Sequence, residues 1–325
     1  MIEKHIVLEG VDPVVFYGAN NVNLQMVKAL YPKLRIVARG NVVRVMGDEG
    51  QMEEFERNAE RMRIHCLQYN SLSEEDILHI LKGEKTQKEG VQGVIVYSTQ
   101  GRPITARSEN QQRLVEAFGR NDMVFAVGPA GSGKTYTSIA LAVRALKNRE
   151  VRRIILSRPA VEAGEKLGFL PGDMREKIDP YLQPLYDALE DMIPVSKLQE
   201  MMEQKTIQIA PLAFMRGRTL NDAVVVLDEA QNTTVPQLKM FLTRMGTNTK
   251  MVITGDTSQI DLPQATRSGL VDALRVLEGI KGISFIHMDK RDIVRHKLVT
   301  QIVEAYESAD KNRPLPARAE ERVPR

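Results

Sequence analysis

The stretch that most limits what this chain can fold into runs from Val124 to Leu146. Four apolar residues, Val124 to Val127, lead into Gly128-Pro129-Ala130-Gly131-Ser132-Gly133-Lys134-Thr135, and Tyr136 opens a run with helical periodicity. That is a strand, a glycine-rich loop of the form G-x-x-x-x-G-K-[ST] and a helix, the context in which the pattern has a mechanical meaning. Glycines 128, 131 and 133 let successive backbone N–H groups turn toward one point, where the following helix adds its positive end. Such a point holds phosphate oxygens. Lys134 is placed to reach the outer phosphates of a nucleoside triphosphate, and the Thr135 hydroxyl to ligate Mg²⁺. The loop from Gly128 to Thr135, with Tyr136 beside it, forms the candidate nucleotide contact.

A chain of 325 residues allows two domains or one large one. Its 45 Lys and Arg against 42 Asp and Glu permit a local basic patch without arguing for one. Cys66 is the only cysteine, which excludes an internal disulfide and fits a reducing compartment. Glu3, Lys4 and His5 interrupt the first apolar residues, and no run approaches the eighteen or so that span a bilayer. The expectation is a soluble, cytoplasmic protein without a membrane partner. His5, His65, His79, His287 and His296 are scattered, so no zinc site is expected, and no G-x-S-x-G nucleophile motif is present.

In chain order, residues 2–8 read as a strand, Asp12-Pro13 as a turn and 23–30 as a helix capped by Asn20, Asn21 or Asn23. Apolar runs on both sides of Arg39-Gly40-Asn41 form a hairpin. Asp48 then caps a helix whose buried face uses Met52, Phe55, Ala59, Met62 and Leu67. The β-α-β-β-α order of residues 1–85 resembles a small α+β, KH-like module, although no G-x-x-G loop is present to clamp a nucleic-acid backbone. A packing or assembly role and RNA binding both stand as readings. Residues 86–107 read as a linker and hairpin, 108–309 as the P-loop domain and 310–325 as a disordered tail rich in Pro, Arg and Glu. Beyond the P-loop, strands alternate with helices, which predicts a mostly parallel sheet covered on both faces.

The buried-strand run Ala223 to Leu227 ends in Asp228-Glu229-Ala230-Gln231. On a strand beside the P-loop strand, Asp228 is placed to hold Mg²⁺ and Glu229 to orient and polarise an attacking water. The next strand ends in Thr254-Gly255-Asp256-Thr257-Ser258-Gln259, where Gly255 lets the backbone pass close to the nucleotide and the Gln259 amide senses the γ-phosphate.

These segments in this order resemble the RecA-like nucleotide-binding domain of superfamily 1 helicases. A narrower resemblance, to the PhoH-like ATPase family, rests on the run from Arg158 to Gly172, Asp179-Pro-Tyr-Leu, the run from Met215 to Asp222, Gln231-Asn-Thr-Thr and Val294-Arg-His296. It implies an ATP-binding cytoplasmic ATPase linked to RNA metabolism, in bacteria often associated with a ribosomal-RNA-processing endoribonuclease. Gln111, upstream of the P-loop strand, resembles the helicase glutamine that reads adenine's edge, with Gln112 as the neighbouring alternative and a plain surface glutamine as the structural one. Arg158 is a phosphate contact or an ion-pair partner of Glu162 or Glu165. Arg216 and Arg218 are candidates for contact with single-stranded RNA.

Phosphoryl transfer also needs a cation on the developing charge. Arg295, in the Val-Arg-His motif, is the first choice, ahead of Arg244 and Arg267, and a homo-oligomeric ring, of the size of a hexamer for instance, would supply it from a neighbouring copy. The expected activity is Mg²⁺-dependent ATP hydrolysis coupled to RNA binding, remodelling or processing. The alternative is a ring-forming ATPase that switches a protein partner; a small-molecule kinase is disfavoured because Glu229 beside Asp228 suits water as the acceptor.

Overall fold

The structure, a computed structural model, describes residues 2–84, 86, 93–159, 174–263, 265–293, 298, 299 and 302, with backbone alone for 174–180. Most of the expected linker, the run 160–173, Arg295 with most of the expected helix 292–306, and the tail beyond 310 lie outside the described residues.

The N-terminal region is built from β1 (Ile2–Val7), α1 (Pro13–Tyr17), α2 (Val22–Leu30), β2 (Arg35–Arg39), β3 (Val42–Gly47), α3 (Glu49–Tyr69) and α4 (Glu74–Lys82). Where the sequence promised only a turn, Asp12 accepts the Val14 N–H at 2.9 Å and Pro13 takes the first helical position, so the turn becomes α1. The strands pair antiparallel in the order β1-β3-β2. Ile36, Val43 and Val45 alternate onto one face and meet Met52, Phe55, Ala59, Met62 and Cys66 of α3. Leu67, expected on that stripe, is only half-buried, because the helix continues its buried line through Cys66 and Tyr69. Asp48 is the N-cap residue of α3 but makes no side-chain cap bond; Ser73 instead forms a full capping box with Asp76 on α4.

A short antiparallel hairpin, β4 (Val94–Tyr97) with β5 (Pro103–Thr105), leads into the larger unit. That unit runs α5 (Glu109–Arg120), β6 (Met123–Val127), α6 (Lys134–Lys147), β7 (Arg153–Arg158), α7 (Met174–Met192), α8 (Val195–Glu203) and β8 (Ile207–Pro211), then β9 (Ala223–Leu227), α9 (Val235–Leu242), β10 (Thr249–Gly255), α10 (Gly269–Val276) and β11 (Ile283–His287). The six strands order as β11-β6-β10-β9-β7-β8 with every pairing parallel. This is a RecA-like α/β sheet. One finding corrects the expected neighbourhood: β9 does not lie beside β6, because β10 is inserted between them, pairing Gly255 with Val127 on one side and Ile253 with Leu227 on the other.

Strand periodicity explains why both faces are covered. On β6, Val124 and Ala126 face one cluster with Ile139, Val143 and Leu189, while Phe125 and Val127 face another with Leu238, Phe241 and Leu270. Each fully buried Val, Leu or Phe contributes roughly 1.5–3 kcal/mol by removal from water, and the all-apolar run of β9 has no polar face to offer solvent.

Asn70 ties the two units together. It caps α3 in the left-handed conformation at φ 53°, and its amide donates to the carbonyls of Tyr97 at 2.8 Å and Met192 at 3.0 Å, with a longer approach to Ser98 at 3.3 Å. Lys147, at the end of α6, donates to the Asn70 Oδ1 at 3.1 Å.

Candidate phosphate-binding and active site

The parallel sheet sends the carboxyl ends of β6, β7, β9 and β10 to one edge, and ligands of such sheets sit in the crevice beyond those ends. Gly128 leaves β6 there, its N–H donating to the Gly255 carbonyl at 3.1 Å. A Cβ on Gly128 would stand 2.4 Å from the Met288 carbonyl oxygen, so only glycine fits where the chain passes the end of β11. Gly131 and Gly133 hold φ of 81° and 80°, and Gly133 caps α6 without any side-chain bond. Among the described residues, the amides of Gly131, Gly133, Lys134 and Thr135 have no acceptor. Backbone donors left over at a helix N-terminus are the groups that take up phosphate oxygens.

Lys134 is buried, and its ammonium donates to the carbonyls of Gly128 at 2.7 Å and Pro129 at 2.8 Å. Burial pushes it below the usual lysine range, against the opposing pull of the Asp256, Glu229 and Asp228 carboxylates. Its cation therefore sits within the field of all three acids of the crevice.

Asp228, 3 % exposed just past β9, accepts two hydroxyls on the same oxygen, from Thr135 and from Thr254, each at 2.6 Å. Thr254 comes from β10, so the inserted strand fills the gap between loop and acid with a hydroxyl. The paired Thr135 and Asp228 oxygens form a hard-donor set that suits Mg²⁺.

Glu229 adopts φ 53°, an uncommon conformation for a residue with a side chain. Its carboxylate takes the Gln231 amide at 2.5 Å and faces the Arg158 guanidinium at 3.5 Å. Gln231, 1 % exposed, is the hub of the crevice: its Oε1 accepts the Asp256 N–H at 3.0 Å, and its amide also reaches the Gln259 carbonyl at 3.2 Å. Asp256 in turn accepts the Ala130 N–H at 3.1 Å and the Ser258 hydroxyl at 2.6 Å, fastening β10 to the phosphate loop. Gly255 makes room for Gln231 and Leu270, whose atoms a Cβ would meet at 2.8 Å and 2.5 Å. The Gln259 side chain is exposed, and its backbone rather than its amide enters this network.

Gln111 is buried rather than a surface residue. Its amide donates to the Ser132 carbonyl at 2.9 Å and its Oε1 accepts the Arg107 N–H at 2.8 Å, so it braces the loop from α5. Gln112 is exposed and approaches Glu116. The Tyr136 hydroxyl donates to the Asp191 carboxylate on α7; burial first, and then that acid, raise it above the usual tyrosine range. Arg244 spends its guanidinium on the carbonyls of Met240 and Arg218, whereas Arg216 and Arg267 are exposed. Arg218 donates to the Gln208 side chain at 2.8 Å.

Sequence reasoning placed Gln231 and Thr254 inside the motifs without giving either side chain a role, and it missed the Arg158 to Glu229 pair. Thr254 had a signal, a hydroxyl at the end of the apolar strand Met251-Val-Ile, and Gln231 stands at the end of the acidic motif. The Arg158 pairing had none, since it depends on β7 being laid against β9.

The profile of the PhoH-like protein family matches residues 103–307. A PhoH-like protein of Bacillus subtilis is 49% identical over 279 residues, covering 84% of this chain and 88% of its own. A PhoH-like protein of Mycobacterium tuberculosis is 49% identical over 273 residues, 82% of this chain and 77% of that one. The Synechocystis PhoH-like protein is 43% identical over 285 residues, 86% and 87% of the two chains. With its phosphate loop, acidic strand end and RecA-like sheet order in one chain, this is a P-loop NTPase fold, and the chain belongs to the PhoH-like protein family.

Proposed function

We propose that the chain binds ATP with Mg²⁺ and hydrolyses it, coupling turnover to the binding or processing of RNA. The observation that carries the nucleotide part is the 2.6 Å bond between Thr135 and Asp228 beside four acceptor-free amides. Lys134 exchanges its loop carbonyls for phosphate oxygens, a cation passing from one set of acceptors to another without leaving the crevice. When bound, Mg²⁺ supplies positive charge on the phosphoryl oxygens, and Thr135 and Asp228 are the residues to hold it. Glu229 takes the proton of a water on the far side of the γ-phosphate, a step whose removal costs roughly 10²–10⁴ in rate. Gln231 and Asp256 tie Glu229 and the loop to β10, giving phosphate loss a path to Gln259.

Support for the RNA part comes from the motif resemblance, from the exposed Arg216 and from Arg158 at the end of β7. For the developing charge, Arg295 of a neighbouring copy in a ring is the cation of choice, since Arg244 is already committed to backbone carbonyls.

Phosphate release by purified protein, with and without single-stranded RNA at two salt concentrations, tests both parts. Glu229→Gln is expected to keep nucleotide binding and lose turnover, and Lys134→Ala to lose both. Turnover that ignores RNA would remove the RNA reading and leave a protein-switching ATPase; Glu229→Gln with full turnover would remove the assigned chemistry. Mixing Arg295→Ala with Glu229→Gln subunits reports on the ring, because only a shared site regains activity.

A further inference from the structure

Where the N-terminal region meets the P-loop unit, α3, β4 and the end of α6 border a cleft of about 670 Å³, within the roughly 300–1,000 Å³ of small-ligand sites. A second cavity of about 260 Å³ shares Arg63, Leu67, Lys147 and Arg149 in its wall. The larger cleft is lined by four cations, Arg63, Arg144, Lys147 and Arg149, and a single acid, Glu60. Glu60 is already committed, each of its oxygens taking an Arg63 nitrogen at 2.7 Å. Lys147 has the neutral Asn70 Oδ1 as its partner, and Arg144 feels Glu150 only at a distance. Among the described residues, no carboxylate lies within ion-pair distance of Arg144, Lys147 or Arg149.

The carbonyl end of α6 favours a cation in its last turn. It does not explain three around one void. Burial lowers Lys147 to about 8 and pulls Arg144 below the usual arginine range, while Arg149 stands exposed at the mouth of the cleft. A partly buried cation without a counter-charge carries a desolvation cost, which an anion in the cleft would offset for Arg144 and Lys147.

We infer that this cleft is an anion site separate from the phosphate loop, taking a phosphate-bearing ligand between Arg144, Lys147 and Arg149. Two sources share that chemistry: the phosphodiester backbone of a single RNA strand and a free nucleoside polyphosphate. The site lies at one end of α6 and the phosphate loop at the other, some 21 Å apart for 14 residues at about 1.5 Å each. Asn70 joins it to β4 and α7, so a ligand here bears on the seam between the two units. The inference does not depend on nucleotide binding at the loop, although its RNA arm rests on the reading given under Proposed function.

The test uses the full chain with its phosphate loop saturated by a non-hydrolysable ATP analogue and Mg²⁺. Calorimetry and fluorescence anisotropy then follow inorganic pyrophosphate, ADP and a labelled oligouridine. A further binding event is expected, weakened about tenfold or more in Arg144→Gln and in Lys147→Gln, the range for loss of a charged hydrogen bond. Arg144→Gln leaves the Asn70 to Lys147 bond in place, so it separates ligand loss from damage to the seam. Binding of the oligouridine alone identifies the RNA source; binding of pyrophosphate and ADP identifies the free polyphosphate; mutual competition identifies one shared site for both. The same event should persist in Lys134→Ala, so failure of the loop reading and failure of this one are told apart. No further event, or one indifferent to both glutamine variants, overturns the inference.

Discussion

The guanidinium of Arg158, at the end of β7, stands 3.5 Å from the carboxylate of Glu229, and its other terminal nitrogen donates to the Tyr181 carbonyl on α7 at 2.9 Å. The pair exists because β7 lies against β9, Ser157 opposite Leu227, so that Arg158, the last residue of β7, and Glu229, just past β9, emerge side by side. Arg158 faces one oxygen of the carboxylate and the Gln231 amide takes the other, which leaves neither oxygen free for a water. If Glu229 activates water as proposed, Arg158 is expected to act as a restraint, released when a competing anion draws the guanidinium away. Half-exposed pairs are worth at most about 1 kcal/mol, so Arg158→Ala is expected to raise turnover without RNA by up to about fivefold and to flatten any stimulation by RNA. Steady-state phosphate release with and without oligouridine checks this. A fall in basal turnover with stimulation intact would show that the arginine supports Glu229 instead.

Two glycines of the loop predict different costs for the same added methyl. On Gly128 it meets the Met288 backbone at 2.4 Å, which has no rotamer to yield; on Gly133 it meets the Gln111 side-chain amide at 2.7 Å, which can swing aside, leaving the strain of φ 80°. Overpacking against backbone costs up to about 3 kcal/mol and a left-handed alanine about 1–2 kcal/mol. At about 2–4 °C per kcal/mol for a domain of this size, Gly128→Ala should melt lower than Gly133→Ala by several degrees. Melting curves in the opposite order would contradict the packing described for the end of β11.

Much of this site is legible in the residue string because it is local. The glycines, Lys134 and Thr135 carry their geometry within one loop, and Asp228 follows a five-residue apolar run that has to be a buried strand. What the string does not carry is lateral order. It does not say that β10 lies between β9 and β6, so that Thr254 stands beside Asp228 on one side while Gly255 pairs with Val127 of the phosphate-loop strand on the other. Gln111 shows the same limit: its spacing identifies a glutamine ahead of the loop, while its burial and its bond to Ser132 follow from how α5 docks. In the N-terminal region the α3 stripe was readable through Met62, but its next position is Cys66, four residues on, and not Leu67, because five residues at about 3.6 per turn carry a side chain well off the stripe.

Asn70 predicts how the two units unfold together. Its amide donates across the seam to Tyr97 and Met192, and its oxygen holds Lys147. Asn70→Ala removes these bonds and also places alanine at φ 53°, where asparagine is tolerated and alanine is strained. The combined loss is on the order of 2–4 kcal/mol, one to two bonds' worth plus strain. Calorimetry of the variant is expected to resolve two transitions where the parent shows one. A single transition displaced downward would mean that other contacts, such as those between α3 and β4, carry the coupling.

Lys147 makes stability depend on pH in a direction opposite to that of a surface lysine in an ion pair. Burial lowers it to about 8 in the folded protein, whereas an unfolded lysine titrates near 10.4. Below about pH 8 both states carry the proton and the group adds no slope. Between about 8 and 10.4 the unfolded state holds more protons than the folded state, so stability rises with pH across that window. Lys147→Met lacks this contribution, and the difference in urea midpoint between the two proteins should therefore shift in favour of the parent as pH climbs from 8 toward 10. Groups common to both proteins cancel in the difference. Parallel midpoints over the whole range would mean that Lys147 is solvated at the seam, and its burial beside Asn70 would have to be abandoned.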